Sequence, residues 1–320
     1  MSEKTGTKRR FNTQIIFRFA PVIGLVLLVL FFAIMSDGKS LSTPNLKILF
    51  NQVILTALIS IGGIFAFSAG VMDMSMSGSV CCVAVVSAIV GNAANSTFVM
   101  ILTCVIAALV VGLIKAALSI YMNAPPFMIT IVLGMALSSL GNVLLGSQSN
   151  LSVSSLVGSG QRTALYVILL VVFYVVAAVI FNFGVFGKGA KIVGGNPRAG
   201  EQTGISASKI KLYAFLLGAV SIALTAIVIL LRSKSVNAST ATTLGMDMMV
   251  AIVLGGMPLS GGAKSKISAA LIGAAIITVL NNGLMVIHVD SGSIQLVRGI
   301  LFLIVVYITG FSYRSNLLPR

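Results

Sequence analysis

Residues 48–78 read ILFNQVILTALISIGGIFAFSAGVMDMSMSG: the stretch from Ile48 to Met72 carries no charge, and Asp73 then sits between Gly70 and Gly78. A bilayer's hydrocarbon core is about 30 Å thick and takes roughly 20 apolar residues as a helix. The first part of this stretch therefore reads as a membrane span. It is long and uniformly apolar, unlike the roughly ten-residue alternating strands of a membrane barrel, so the span is a helix. The second part, Gly70–Gly78 (GVMDMSMSG), breaks that helix with two glycines, Asp73, Ser75 and Ser77. Broken backbone at membrane depth is tolerated only where it is buried in protein or lines a wet cavity. Asp73 is thus the first residue that needs explaining.

The rest of the chain repeats the apolar pattern. Of its 320 residues 58% are hydrophobic and 8% charged, with a mean hydropathy of +1.10. Soluble domains carry about 25% charged residues, so a water-soluble fold is excluded. We read an all-α polytopic membrane protein with about ten membrane segments, at 19–36, 47–70, 78–94, 98–121, 127–146, 164–183, 210–231, 247–260, 266–287 and 294–312. That leaves a tail at 1–18, one transmembrane domain over 19–312, and a tail at 313–320. Phe19–Met35 follows a basic N-terminus as in a signal peptide, but no small-residue cleavage site follows it, so it is read as a span.

The net charge of +15 describes topology and not a nucleic-acid partner. Lys4, Lys8, Arg9, Arg10 and Arg18 precede the first span; Lys188, Lys191, Arg198, Lys209 and Lys211 share one loop; Lys264, Lys266, Arg314 and Arg320 fall later. Alternating spans put all of these on one side, which the positive-inside rule assigns to the cytoplasm together with both termini. The serine-rich loop 147–163, with Arg162 as its single charge, falls outside. Cys81, Cys82 and Cys104 lie within spans and read as packing residues, not as a disulfide framework or a metal site. Trp is absent, which leaves Tyr, Lys and Arg to anchor the interfaces.

A second break, Leu254–Gly262 (LGGMPLSGG), holds Gly255, Gly256, Pro258, Gly261 and Gly262, a structural turn. Met-Asp-Met occurs at 72–74 and again at 246–248, each after a long span, and the two spans run in opposite directions. An inverted repeat of segments 2–5 and 7–10 would produce this; a chance match of three residues would too. The basic loop 184–209 has glycines at 194, 195, 200 and 204 and Pro197, which suits a short helix bounded by turns.

No catalytic constellation is present. His288 stands alone at the outer end of a span and reads as an interfacial residue. The nearest approach to a phosphate loop, Gly256–Gly261, has its lysine two places late at Lys264, so this chain does not hydrolyse ATP. Asp73 and Ser75 either line a pathway or cap the next helix. Lys115 either pairs with Asp73 or extends to the headgroups, and its place late in a span favours the second. Asn281 and Asn282, and Asn51 with Gln52, either meet a hydroxylated solute or join helices.

Several strings in order resemble the permeases of ribose-type ABC importers, which are related to branched-chain amino acid permeases. AIVLGGMPLSGG (251–262) followed by LIGAAIITVLNNGLMVI (271–287) is similar to that family's glycine-rich turn and Asn-Asn-Gly-Leu helix. IVGGNPRAGEQTGIS (192–206) resembles its cytoplasmic Gly-Gly-Asn element, and GVMDMSMSGS (70–79) its Gly-x-Asp-Leu-Ser-Val-Gly signature. In the last string Ser77 adds one residue between Asp73 and Gly78, which puts the local turn in doubt. The resemblance implies a permease that pairs with a second permease chain, identical or paralogous, in a bacterial cytoplasmic membrane. It also implies a cytoplasmic ABC ATPase that binds ATP-Mg and an extracytoplasmic solute-binding protein; this chain would hold no cofactor. Gly194, Gly195, Asn196, Pro197, Arg198, Gly204 and Ile205 would then form the ATPase-coupling element. Asn51, Asp73, Ser75, Asn281 and Asn282 would sit near the pathway of a small neutral hydroxylated solute, a monosaccharide such as ribose. A nucleoside or signalling sugar remains open as solute. The rival readings are an ion-coupled secondary transporter using Asp73 and Lys115, and a structural or assembly membrane protein.

Overall fold

The computed structural model describes residues 13–122, 124–158, 163–258 and 261–314. Lys4, Lys8, Arg9, Arg10, Arg162, Leu259, Ser260 and Arg320 lie outside the described residues. The chain is almost wholly helical, in the order α1 (Thr13–Met35), α2 (Thr43–Ser68), α3 (Met76–Ala94), α4 (Thr97–Tyr121), α5 (Pro126–Leu145) and α6 (Thr163–Asn182). There follow α7 (Val185–Gly195), α8 (Pro197–Gln202), α9 (Ala207–Ser233), α10 (Leu244–Leu254), α11 (Ser268–Val286) and α12 (Ser291–Arg314). Two-residue strands β1 (Leu151–Ser152) and β2 (Ser235–Val236) pair antiparallel and tie the serine-rich loop to the end of α9.

Among the described residues seven helices are long and apolar enough to cross a membrane, namely α2 to α6, α9 and α11; α1, α10 and α12 add shorter apolar stretches. Each expected segment overlaps a helix, and several boundaries move. The eighth ends at Leu254, because Gly255 and Gly256 (φ +92°) terminate α10. At 11 residues α10 is about 16 Å long, too short for a bilayer. The tenth starts earlier, at Ser291, where Asp290 accepts hydrogen bonds from the Ser293 amide (2.9 Å) and hydroxyl (2.7 Å) and caps α12. Loop 184–209 holds two short helices in place of one.

Helices α2 and α9 form the centre. From Thr56 to Ser68 every residue of α2 is buried, and α9 is buried from Ser221 to Leu231 except Leu224. Small residues let these two helices touch: a Cβ on Gly62 would overlap the Ser221 side chain, and Ser221 Oγ donates to the Leu58 carbonyl at 2.7 Å. In lipid such close backbone approach replaces the hydrophobic drive available in water. Around this pair the contacts correspond under exchange of α2 with α9, α3 with α10 and α4 with α11: α4 packs on α9 as α11 packs on α2, α3 on α4 as α10 on α11, and α3 on α9 as α10 on α2. The outer helices α1 and α6 do not follow this exchange, since α1 packs on α11 whereas α6 packs on α2.

The crossing yields a stability prediction. Gly62→Ala overpacks the centre at a cost of about 1–3 kcal/mol, so the detergent-purified protein should unfold several degrees lower and lose monodispersity on gel filtration. Adding Ser221→Gly should restore part of the loss.

Candidate functional site

Two helices of this protein begin in its interior. After α2 the chain turns at Gly70 (φ +75°) and runs back inward through Met72-Asp73-Met74 to start α3 at Met76. After α9 it passes through 237–243 and starts α10 at Leu244, with Met246-Asp247-Met248 in the first turn. The two starts touch: Gly245 lies against Ser77, and a Cβ on Gly245 would come within 3.0 Å of the Ser77 hydroxyl. A helix start leaves its first amides without partners and carries partial positive charge. Each start here has an aspartate beside it.

Asp73 is 1% exposed and fully committed. Its Oδ1 accepts from the Ser75 amide (2.9 Å) and hydroxyl (2.6 Å), which closes a tight turn ahead of α3. Its Oδ2 meets Lys115 Nζ at 3.0 Å, and Lys115 on α4 is also 1% exposed. The expectation that Lys115 extends to the headgroups is therefore overturned. An unpaired carboxylate so deep would be costly, and the ammonium supplies its charge partner. From α5, Thr130 fixes the turn by accepting from the Met74 amide and donating to the Met72 carbonyl, both at 3.1 Å. Close contact of α3 with α5 needs Gly78 and Gly134, where a Cβ would meet backbone.

Asp247 is also buried but lies nearer a surface. Its Oδ1 meets Arg298 Nη1 of α12 at 3.1 Å and accepts from the Asn281 amide of α11 at 3.3 Å. Arg298 Nε donates to Asn281 Oδ1 at 2.6 Å, which closes the triangle. Asn281 lies five residues before the end of α11 at Val286, much as Lys115 lies six before the end of α4 at Tyr121. Beside this cluster is a pocket of about 430 Å³ whose polar lining comes from Thr243, His288, Ser291, Gln295 and Arg298. Asp73–Lys115 and Asp247–Arg298 are the two ion pairs found among the described residues.

The basic loop builds a small platform. Asn196 caps α8, its Oδ1 accepting from the Arg198 (3.0 Å) and Ala199 (3.4 Å) amides, with Pro197 in the first turn where no amide partner is needed. Gly204 (φ +78°) ends the helix, and the Ile205 amide donates to the Gly200 carbonyl. Ile205 packs with Ala190, Val193 and Ile210, whereas Asn196, Pro197 and Arg198 are exposed. The base of the platform meets both breaks backbone to backbone. A Cβ on Gly194 would overlap the Ser68 carbonyl, one on Gly261 the Phe67 carbonyl, and one on Gly262 (φ +80°) would come within 3.0 Å of Gly195. Gly70 faces Gly194 in the same junction.

The five residues expected near a pathway do not converge. Asp73 and Ser75 share the α3 turn, and Asn281 belongs to the Asp247 cluster. Asn282 forms a reciprocal pair with Asn45 at the start of α2 (2.8 and 3.0 Å), beside a cavity of about 80 Å³. Asn51 donates to the Lys47 carbonyl, and its own carbonyl accepts from Arg232. Sequence reading missed Asp247, Arg298 and Asn45. The repeated Met-Asp-Met was the available signal for Asp247; nothing local marked Arg298 or Asn45. Of the glycine-rich turn, Gly255 packs against Ala269 of α11, and Pro258 lies half-buried just before the undescribed Leu259 and Ser260.

A sequence profile for the family described as "Branched-chain amino acid transport system / permease component" matches residues 45–306. The Ribose import permease protein RbsC of Bacillus subtilis is 29% identical over 95% of this chain and 96% of its own length. The Xylose transport system permease protein XylH of Haemophilus influenzae is 25% identical over 91% and 95%. The Probable ABC transporter permease protein YphD of Escherichia coli is 29% identical over 58% of this chain, and that match spans 57% of its length. No solved structure matches.

Lys115→Met strands the Asp73 carboxylate and should cost about 3–5 kcal/mol, read as loss of folded protein after extraction. Joining it to Asp73→Asn, which removes both charges, should recover most of the yield.

Proposed function

The chain belongs to the permease-component family of the branched-chain amino acid transport systems, and we propose that it is the membrane subunit of an ABC importer for a small neutral hydroxylated solute, a monosaccharide such as ribose. The observation that carries this reading is the platform of α7 and α8: exposed at Asn196–Arg198, and seated on both broken-helix connections through the contacts of Gly194, Gly195, Gly261 and Gly262. A push on α8 has a direct backbone route to the connections leading into α3 and out of α10. The full-length likeness to a ribose and a xylose permease supports the solute class.

In this reading the partner ATPase holds ATP-Mg and docks on α8, and a soluble binding protein delivers solute at the other face. The platform face is cytoplasmic, both termini lie on that side, and the chain lies in a bacterial cytoplasmic membrane with about ten membrane segments, of which α10 enters without reaching across. The matching contacts of α2–α4 and α9–α11 support an inverted repeat, with alternating access as rocking of one half against the other. A second permease chain completes the pathway, since α2 and α9 fill the centre of this one. The ion-driven reading loses ground because Asp73 and Lys115 neutralise each other and share one buried pair.

Two measurements test the proposal. Mild detergent extraction should recover a nucleotide-binding ATPase with this chain, and vesicles holding the complete set should take up labelled ribose or xylose in an ATP-dependent, uncoupler-insensitive way. Uptake that persists without ATP and collapses with an uncoupler would sink the reading. Gly194→Val should abolish uptake with the ATPase still bound. Asn196→Ala, which removes a cap of about 1 kcal/mol, should slow uptake by about fivefold. Normal uptake and normal ATPase stimulation in both variants would remove the coupling role.

A further inference from the structure

The two ion pairs stand in comparable places. Both aspartates come from Met-Asp-Met, both lie beside the start of an interior helix, and those starts touch through Ser77 and Gly245. Each aspartate binds a group on a neighbouring helix: Asp73 binds Lys115 of α4, and Asp247 binds Asn281 of α11 together with Arg298 of α12. Helices α4 and α11 exchange roles in the packing of the two halves. The pairs differ in one respect. Asp73–Lys115 is sealed at 1% exposure on both sides, whereas Asp247 and Arg298 retain 8% and 12% and adjoin the pocket of about 430 Å³.

We propose that Asp73–Lys115 and Asp247–Arg298 are paired latches of the transport cycle, the first holding the platform side closed and the second holding the pocket side. This rests on the alternating-access reading above and adds the residues that set its balance. Neither pair exchanges an ion or touches solute by necessity; both are positioning residues. Because the two helix starts press on one another, movement of one displaces the other. Tightening of one latch would therefore loosen the other; in this structure both pairs are formed, at 3.0 and 3.1 Å, and the second is the more accessible. The pocket beside Arg298, with an arginine, a glutamine and hydroxyl groups against Met285, Val289 and Ile294, is the space that the second latch opens.

The test reads pocket accessibility and needs neither solute nor ATPase. Ile294 lines the pocket, is buried in this state and lies outside both latches, and the three native cysteines are buried, so Ile294→Cys in the full chain is a clean reporter in lipid nanodiscs with a polar maleimide. Neutralising the second latch (Asp247→Asn with Arg298→Gln) should raise the labelling rate by about fivefold, and neutralising the first (Asp73→Asn with Lys115→Met) should lower it by a similar factor, for an energy shift near that of one latch. Opposite signs support the proposal. The same sign in both backgrounds means general loosening and overturns it, as does no change in either. Should the first-latch variant not fold, hydrogen exchange on the unaltered complex decides: ATP-Mg should change protection of 69–75 and 243–248 in opposite directions, and a shared direction or no change overturns the proposal. Failure of sugar uptake alone would instead count against the solute class.

Discussion

Backbone amides that begin a helix inside a membrane protein have no water to turn to, and this fold places two such beginnings together. Every unusual feature near the centre answers that constraint. Asp73 accepts from the Ser75 amide at 2.9 Å and offsets the positive end of α3, and Asp247 does the electrostatic part for α10 from within its first turn. Each carboxylate then needs a cation, so Lys115 is drawn fully inside from α4 and Arg298 partly inside from α12. Thr130, Gly78 and Gly134 follow, because the Asp73 turn must be both hydrogen-bonded and closely covered by α5. Buried pairs of this kind contribute little net stability compared with apolar replacements, since desolvation offsets attraction. Their value lies in accommodating helices that start where helices ordinarily do not.

The membrane class and the positions of the apolar helices were legible because bilayer thickness imposes a length that any reader of the sequence can measure. Gly70–Gly78 and Leu254–Gly262 were legible as breaks for the same reason: glycine, proline and charge contradict their surroundings. Lys115 was misread, because a lysine late in a span has the same local sequence whether it extends to headgroups or turns inward, and only the position of Asp73 on another helix decides. Asp247 is hard to see in sequence because Met-Asp-Met at 246–248 reads as a repeat of 72–74 more readily than as a charge within an apolar segment. Asn281 and Asn282 were singled out together, yet neighbours on a helix point about 100° apart, so one joined the Asp247 cluster and the other met Asn45. The turns of loop 184–209 are the most legible, since Asn196-Pro197 and Gly204 are local cap and stop signals that need no tertiary partner.

Polar groups elsewhere serve assembly. Ser221 bonds the Leu58 carbonyl, Arg232 the Asn51 carbonyl, and Asn45 pairs with Asn282, so α2 is held by hydrogen bonds to α9 and α11 along its length. In water such contacts would be secondary to apolar burial; in lipid, where tails are as apolar as leucine, they and small-residue contacts do most of the joining. That explains why α2 and α9, the central helices, also carry Gly62, Gly63, Gly218 and Ser221.

The junction of Gly70, Gly194, Gly195, Gly261 and Gly262 has a consequence for how such proteins can be recombined. Three distant parts of the chain meet there with main chains in contact and no room for a methyl group between several of them. The exposed surface of α8 at Pro197 and Arg198 takes no part in these backbone contacts, so its side chains are free to differ. The base beneath it is not separable: a loop 184–209 transplanted from a relative would have to bring its matching stretches near 68–70 and 261–262, or the graft would perch on a misfitted seat.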